Sequence, residues 1–330
     1  MEALSVTDIP VGAQWQYEPK WDGFRCLVFR DGASVELQSK SGQSLTRYFP
    51  EIVDEVRKLK PKAFVLDGEL VVPDGKAFSF DALLQRLHPA ASRVQRLAGE
   101  TPALLIVFDL LEDKTPLTDQ PLAERREQLE AFAKRHFAVS ESIRLSPSTL
   151  KLTGAKAWLK RVGATLDGII AKRRDLPYRA GDRSGMQKIK NYRSADCVVG
   201  GFRYNEGKPF VGSLLLGLYD GDGLLHHVGF TATIKTPEKP ALTDKLDSLI
   251  APPGFTGDKP GGPSRWSTKR SSEWQPLKPK LVVEVYYDHF TGGRFRHGTR
   301  ILRWRPDKAP QQCTLDQVKQ KAANLMTLLR

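Results

Sequence analysis

The sequence predicts an α+β fold in two domains, residues 1–192 and 193–330, on three observations. At 330 residues the chain exceeds the ~250 at which single cores stop growing. Up to about Tyr192, hairpin signals mix with amphipathic helical patterns, which favours antiparallel sheets with helices over a doubly wound parallel sheet. Beyond Tyr192 strand patterns dominate a basic stretch of about 135 residues, which fits an OB-fold β-barrel, a common nucleic-acid platform.

The elements follow in order. RCLVFR (25–30) and SVELQS (34–39) read as strands around Asp31-Gly32, a two-residue hairpin turn. Residues 49–58 read as a helix and AFVLDGELVV (63–72) as a buried strand. A helix over about 80–98 precedes the apolar strand ALLIVFDLL (103–111). Pro121 opens an amphipathic helix to about His136, with Leu122, Leu129, Phe132 and Ala133 turned inward. A helix near 154–162 leads into a strand at 167–173. The second part reads as strands at 195–203, 210–219, 223–230, 280–288 and 299–305, with turns such as Asp220-Gly221-Asp222-Gly223. The Pro-, Gly- and Lys/Arg-rich stretch 251–279 predicts a long loop, and 315–329 a short closing helix.

Composition narrows the partners. Hydrophobic content of 40% and charged content of 27% describe an ordinary globular protein. No apolar run is long enough to span a membrane, and the first twenty residues lack a signal peptide's basic start and apolar core, so a cytosolic protein is expected. Cys26, Cys197 and Cys313 are scattered without CxxC spacing, which fits a reducing compartment and sets structural zinc aside. The net charge of +13 favours a polyanion, against a plain solvated basic surface. Residues 191–330 hold 21 basic and 13 acidic residues, so they carry +8 of it on the shorter part of the chain.

One segment concentrates chemistry: EPKWDGFR, residues 18–25. Lys20 lies beside an acid and a glycine turn, and Arg25 follows five positions on. A nucleophilic lysine needs cationic or desolvating surroundings to shed its proton, and an arginine fork suits a phosphate. Alone, so short a pattern is more often a surface turn.

The pattern K-x-D-G-x-R resembles the signature of the covalent nucleotidyltransferases: DNA ligases, RNA ligases and mRNA capping enzymes. Further segments resemble that family in order. SKSG (39–42) offers Lys40 to sugar and phosphate, and VLDGE (65–69) offers Glu69 to ribose or metal. IVFDL (106–110) offers Phe108 as the ring that stacks on adenine. DGIIAK (167–172) offers Asp167 to metal and Lys172 to nucleotide, and MQKIK (186–190) offers Lys188 and Lys190 to the α-phosphate. RWRPDK (303–308) resembles the closing R-x-D-K segment, with Arg305, Asp307 and Lys308. Singly, each has a plain alternative: Asp67 and Glu69 fit a strand end, Phe108 a core, and Lys188 and Lys190 an exposed strand face. Three departures stand out. Asp167 replaces a glutamate, Met186 a tryptophan and Lys40 an arginine, which trades a fork for a point charge.

The resemblance implies an adenylation (nucleotidyltransferase) domain followed by an OB-fold domain, ATP as cofactor with AMP carried on Lys20, and Mg²⁺ or Mn²⁺ held by Glu69 and Asp167. Glu18 is implied to read the adenine amino group. Three transfers are implied: Lys20 takes AMP from ATP, AMP passes to a 5′-phosphate at a nick, and the 3′-hydroxyl displaces it. Arg305, Asp307 and Lys308 are implied to face the triphosphate during charging and to swing away on DNA, about a hinge near Tyr192–Asp196. The wording EPKWDGFR with FRHGTRILRWRPDK resembles the small two-domain bacterial C-type ATP-dependent DNA ligases, associated with backup repair. A monomer acting on nicked double-stranded DNA is expected, with DNA-repair proteins as further partners and no membrane. With only nineteen residues before Lys20, no N-terminal helical clamp is expected. Grip on DNA then falls to basic faces and to the 251–279 loop with Arg265, Trp266, Lys269 and Arg270, a stretch equally suited to a linker. RNA ligase and mRNA capping guanylyltransferase are the enzymatic alternatives. A nucleic-acid-binding protein with a decayed transferase site is the non-enzymatic one.

Overall fold

The computed structural model describes residues 1–261, 273–319 and 323–329; Arg265, Trp266, Lys269 and Arg270 lie outside them. The chain forms two compact units, the first Met1–Asn191 together with residues 323–329, the second running from Tyr192.

The first unit carries two sheets. Its strands are β1 Leu4–Val6, β2 Trp15–Lys20, β3 Phe24–Asp31, β4 Ser34–Ser39, β5 Ala63–Val71, β6 Leu104–Asp113, β7 Ile143–Leu145, β8 Gly168–Arg173 and β9 Met186–Lys190, two-residue strands aside. One sheet runs β1-β9-β8-β2; the main path of the other runs β7-β6-β5-β3-β4. Pairing is antiparallel except β1 with β9 and β7 with β6. The β3–β4 hairpin turns at Gly32 with a φ of 55°, the left-handed conformation a tight two-residue turn needs.

Five helices cover these sheets: α1 Pro50–Lys58, α2 Phe80–Gln85, α3 Ala91–Glu100, α4 Leu122–His136 and α5 Leu152–Val162. Helix α4 buries Leu122, Leu129, Phe132 and Ala133, as its periodicity predicts. The single helix expected over 80–98 is two. Pro89 disfavours helical geometry at His88, so the chain breaks there, and Ser79 caps α2 by accepting from the Ala82 N–H at 3.1 Å.

The end of the chain also departs from expectation. Instead of one helix over 315–329 there are 3₁₀ turns at Leu315–Gln317 and Leu325–Leu328. Leu325, Leu328 and Leu329 are buried in the first unit's core with Trp15, Tyr17, Ile169 and Ile189.

The second unit's main sheet runs β12-β11-β10-β13-β14, from β10 Arg193–Tyr204, β11 Val211–Tyr219, β12 Leu225–Thr231, β13 Val282–Tyr287 and β14 Arg300–Trp304. Bulges interrupt the β10–β11, β11–β12 and β13–β14 ladders, which bends the sheet over a core of Phe202, Leu214, Leu216, Phe255 and Val283. Helix α6, Lys239–Asp247, lies on it by way of Thr243, whose hydroxyl accepts from the Val211 N–H at 2.9 Å. Residues 193–196, expected at a hinge, are the start of β10 and pair with β13, so Asn191 and Tyr192 alone stand between named strands.

This core holds a pH-sensitive group. His227 is buried against the Phe255 ring, with Arg294 and Arg203 near, and burial first, then those charges, lowers its pKa to about 3. The unfolded chain takes up a proton near pH 6.5 and the folded chain does not, so stability falls as pH drops through that range. Between pH 7 and pH 5 we expect the parent to lose about 2 kcal/mol more than a His227→Phe variant. Urea unfolding at both pH values tests this, and equal losses would contradict it.

Candidate active site

The site grows from register. Strand β8 lies between β2 and β9, aligning Lys20–Gly168–Lys190, Glu18–Ile170–Lys188 and Gln16–Lys172–Met186 as three cross-strand rows. Alternation then sends all nine residues to one face of that sheet. The second sheet adds β3 beside β5 and β5 beside β6, with Arg25 opposite Glu69. Between the pairs Asp67–Asp109 and Gly68–Val107 the ladder slips by one residue, leaving Phe108 as the bulged residue of β6. A bulge re-aims a side chain, and here it half-exposes Phe108 within an otherwise buried apolar run.

Two motif glycines are fixed by close approach. A Cβ on Gly23 would sit 2.0 Å from the Leu70 carbonyl oxygen, and one on Gly168 would sit 2.0 Å from that of Ile189. Backbones pack where side chains would be, and the pairing of Lys20 with Gly168 sets Asp167, one residue before that glycine, beside the lysine.

These elements enclose a cavity of about 230 Å³ lined by Glu18, Lys20, Arg25, Lys40, Glu69, Phe108, Lys172 and Lys188, with Glu2, Ile170 and Met186. Lys20 pairs with the buried Asp167 carboxylate. Glu18 is buried and engaged at both oxygens, accepting from Lys172 Nζ at 2.8 Å and from Gln16 Nε2 at 2.9 Å. Lys172 Nζ also stands 4.4 Å from the Phe108 ring centre, over the face expected to take a base. Arg25 is held as a fork by Asp67, Nε to Oδ1 at 3.0 Å and an Nη to Oδ2 at 2.5 Å, with further bonds to the Tyr178 hydroxyl and the Met1 carbonyl. Its guanidinium is thus positioned by protein groups rather than left open.

The electrostatics follow from burial and crowding. Burial pushes the Glu69 carboxyl up to about 8, against the opposing pull of Lys20 and Arg25. Desolvation, then Lys20, Lys190 and Lys40, lowers the Lys188 ammonium. Lys40 is largely exposed and pairs with Glu2 at 3.0 Å, while Glu2 also takes Arg183 at 2.9 Å. The cavity therefore gathers five cations around three carboxyls, those of Glu2, Glu18 and Glu69, a cradle for a polyphosphate.

In the second unit Arg305, Asp307 and Lys308 form a separate cluster. Asp307 accepts from Arg305 Nε at 3.0 Å and from one Nη at 2.8 Å. Those bonds hold the Asp307 carboxyl down at about 2. The other Nη donates to Asp196 at 2.9 Å, and Lys308 Nζ donates to Asp196 at 2.6 Å.

Comparison with known families fits this geometry. Residues 5–190 match the ATP dependent DNA ligase domain, and residues 207–308 match the ATP dependent DNA ligase C terminal region. The chain belongs to the ATP-dependent DNA ligases. The ligase is 43% identical over 335 residues to DNA ligase C2 of Mycolicibacterium smegmatis, covering 96% of this chain and 93% of that protein. It is 41% identical to DNA ligase C of Mycobacterium tuberculosis, covering 97% and 93%. Its fold matches a solved Lig E DNA ligase at a TM-score of 0.56 and 16% identity, over 92% of this chain and all of that one.

Sequence reasoning about this ligase missed Glu2, Asp67, Tyr178, Ile170 and Asp196. Asp67 and Ile170 lie inside recognised segments and strand alternation could have flagged them. Glu2, Tyr178 and Asp196 meet their partners only through the fold.

Proposed function

We propose that this ligase seals nicks in duplex DNA through AMP carried on Lys20, as part of DNA repair in the bacterial cytosol. The observation that supports this best is the convergence of Lys20, Arg25, Lys40, Lys172 and Lys188 on one cavity that also holds Phe108 and Glu69. ATP enters with its adenine against Phe108, displacing the Lys172 ammonium from the ring face, and the Glu18 carboxylate meets the exocyclic amine. Lys188 and Lys190, side by side on β9, take the α-phosphate, and Lys40 reaches sugar and phosphate. Lys20 Nζ attacks the α-phosphorus, its P–O bond to pyrophosphate breaks, and a phosphoramidate forms. AMP then moves to the nick's 5′-phosphate, whose neighbouring 3′-hydroxyl displaces it.

Glu69 and Asp167 suit a divalent cation, Mg²⁺ or Mn²⁺. A carboxyl kept protonated by burial gains from positive charge beside it, and Asp167 already faces the reacting lysine. Such an ion supplies charge neutralisation on the phosphates. The second unit, which we read as an OB-type barrel, contributes Arg305, Asp307 and Lys308 to charging and, with 19 basic against 13 acidic residues over 192–320, its +6 surplus to holding DNA. In this reading the enzyme works as a monomer, with DNA-repair proteins as its further partners.

Incubation with α-labelled ATP and GTP tests the nucleotide, and paired nicked DNA and RNA duplexes test the strand. We expect label on the protein from ATP alone, a mass gain of roughly 0.33 kDa for one phosphoramidate-linked AMP, and sealing of the DNA nick. Label from GTP would turn the reading toward a capping enzyme, and preferential RNA sealing toward an RNA ligase.

A further inference from the structure

We propose that Asp196 is a positioning residue for the charging step, aiming Arg305 and Lys308 together; this rests on the role given above to those two cations. Asp196 is the fourth residue of β10, and 109 positions separate it from Arg305 in sequence. Its carboxylate is largely buried and takes both cations: one Arg305 Nη at 2.9 and 3.1 Å, and Lys308 Nζ at 2.6 Å. The remaining Arg305 nitrogens go to Asp307, and Glu284 stands 4.0 Å from the shared Nη.

Asp196 is itself held rigidly. Its N–H donates to Gln317 Oε1 and its C=O accepts from Gln317 Nε2, both at 3.1 Å, while β10 pairs it with Glu284 on β13. One fixed carboxylate thus sets the spacing of a planar fork and a flexible lysine, and Lys308 is the one that gains most, since its four-carbon stem has no preferred direction. A phosphate approaching this cluster meets two cations already fixed in register rather than two side chains that must be ordered on arrival.

The test measures transfer of AMP from ATP to the full-length enzyme, separately from sealing of a nick already carrying 5′-AMP. Asp196→Asn should slow charging by about tenfold to a hundredfold, the scale of misplaced groups, chiefly through a raised KM for ATP. Asp196→Glu, which restores the charge, should recover part of that loss. The same Asp196→Asn sample should lose no more than a few degrees of melting temperature, because Arg305 keeps Asp307 and both cations reach solvent, and it should seal the preadenylylated nick within about twofold of the parent. A merely structural role would lower both reactions and the melting temperature together, and would overturn the proposal. Charging at or above the parent rate in Asp196→Asn, beside slow charging in Arg305→Ala, would overturn it alone. Parent-rate charging in Arg305→Ala would remove the role of the second unit's cations and this proposal with it.

Discussion

Lys20→Ala is expected to abolish label transfer from ATP and to lower ATP-dependent sealing by at least about three orders of magnitude, the scale on which losing a covalent nucleophile acts. The cavity offers Lys40, Lys172 and Lys188 as other amines, but Lys40 is largely exposed and paired with Glu2, Lys172 is committed to Glu18 and lies over Phe108, and Lys188 sits one row away from Lys20 on another strand. Alanine also removes the cation from Asp167, a buried carboxylate, so a fold effect has to be separated from a chemical one. Lys20→Arg does so. It keeps a positive charge beside Asp167, yet a guanidinium stays protonated and cannot attack phosphorus. Both variants should melt near the parent temperature if Asp167 is satisfied, with arginine the closer of the two. Neither should gain the mass of AMP, and both should retain some sealing of a preadenylylated nick. ATP-dependent sealing by Lys20→Arg at even a hundredth of the parent rate would rule out Lys20 as the nucleophile.

Much of this site was legible because its chemistry is local. Lys20, Asp22 and Gly23 stand within four positions, and the reason for the glycine, a backbone carbonyl 2.0 Å from where its Cβ would be, follows from a turn that brings Gly23 against Leu70 of β5. The alternation of Lys188 and Lys190 likewise placed both on one strand face before any partner was known. What stayed hidden depends on distance along the chain. The Arg25 fork was read as open to a phosphate; it meets Asp67, 42 positions on, and Tyr178, 153 positions on. Nothing in a strand's period marks which cation a buried carboxylate will choose. Phe108 was visible as an aromatic in an apolar run, but the slipped register that half-exposes it belongs to the β5–β6 pairing. The closing leucines show the same limit: an apolar segment announces that it will be buried, not which core receives it.

Asp109→Ala should strongly destabilise the first unit. Arg125 is fully buried, and Asp109 accepts its fork through Nε to Oδ1 and an Nη to Oδ2, both at 2.9 Å. The remaining Nη donates to the Gln120 carbonyl at 2.7 Å. Removing the carboxylate strands a cation that cannot lose its proton, which costs about 3–5 kcal/mol. For a unit of this size that corresponds to a fall in melting temperature of about 10 °C. The damage should also reach the site. Asp109 directly follows the bulged Phe108, and the Arg125 guanidinium lies 5.7 Å from the centre of the Tyr178 ring, whose hydroxyl donates to Asp67 and so braces Arg25. A double variant separates charge from packing. Asp109→Leu with Arg125→Met removes both charges and fills the space, so it should recover most of the lost stability, because apolar replacement of a buried pair is often neutral. It should not recover charging fully, since the brace on Tyr178 is gone. Calorimetric melting of the two variants beside the parent decides the matter: if the double variant is no more stable than Asp109→Ala, the loss came from shape and not from the stranded arginine.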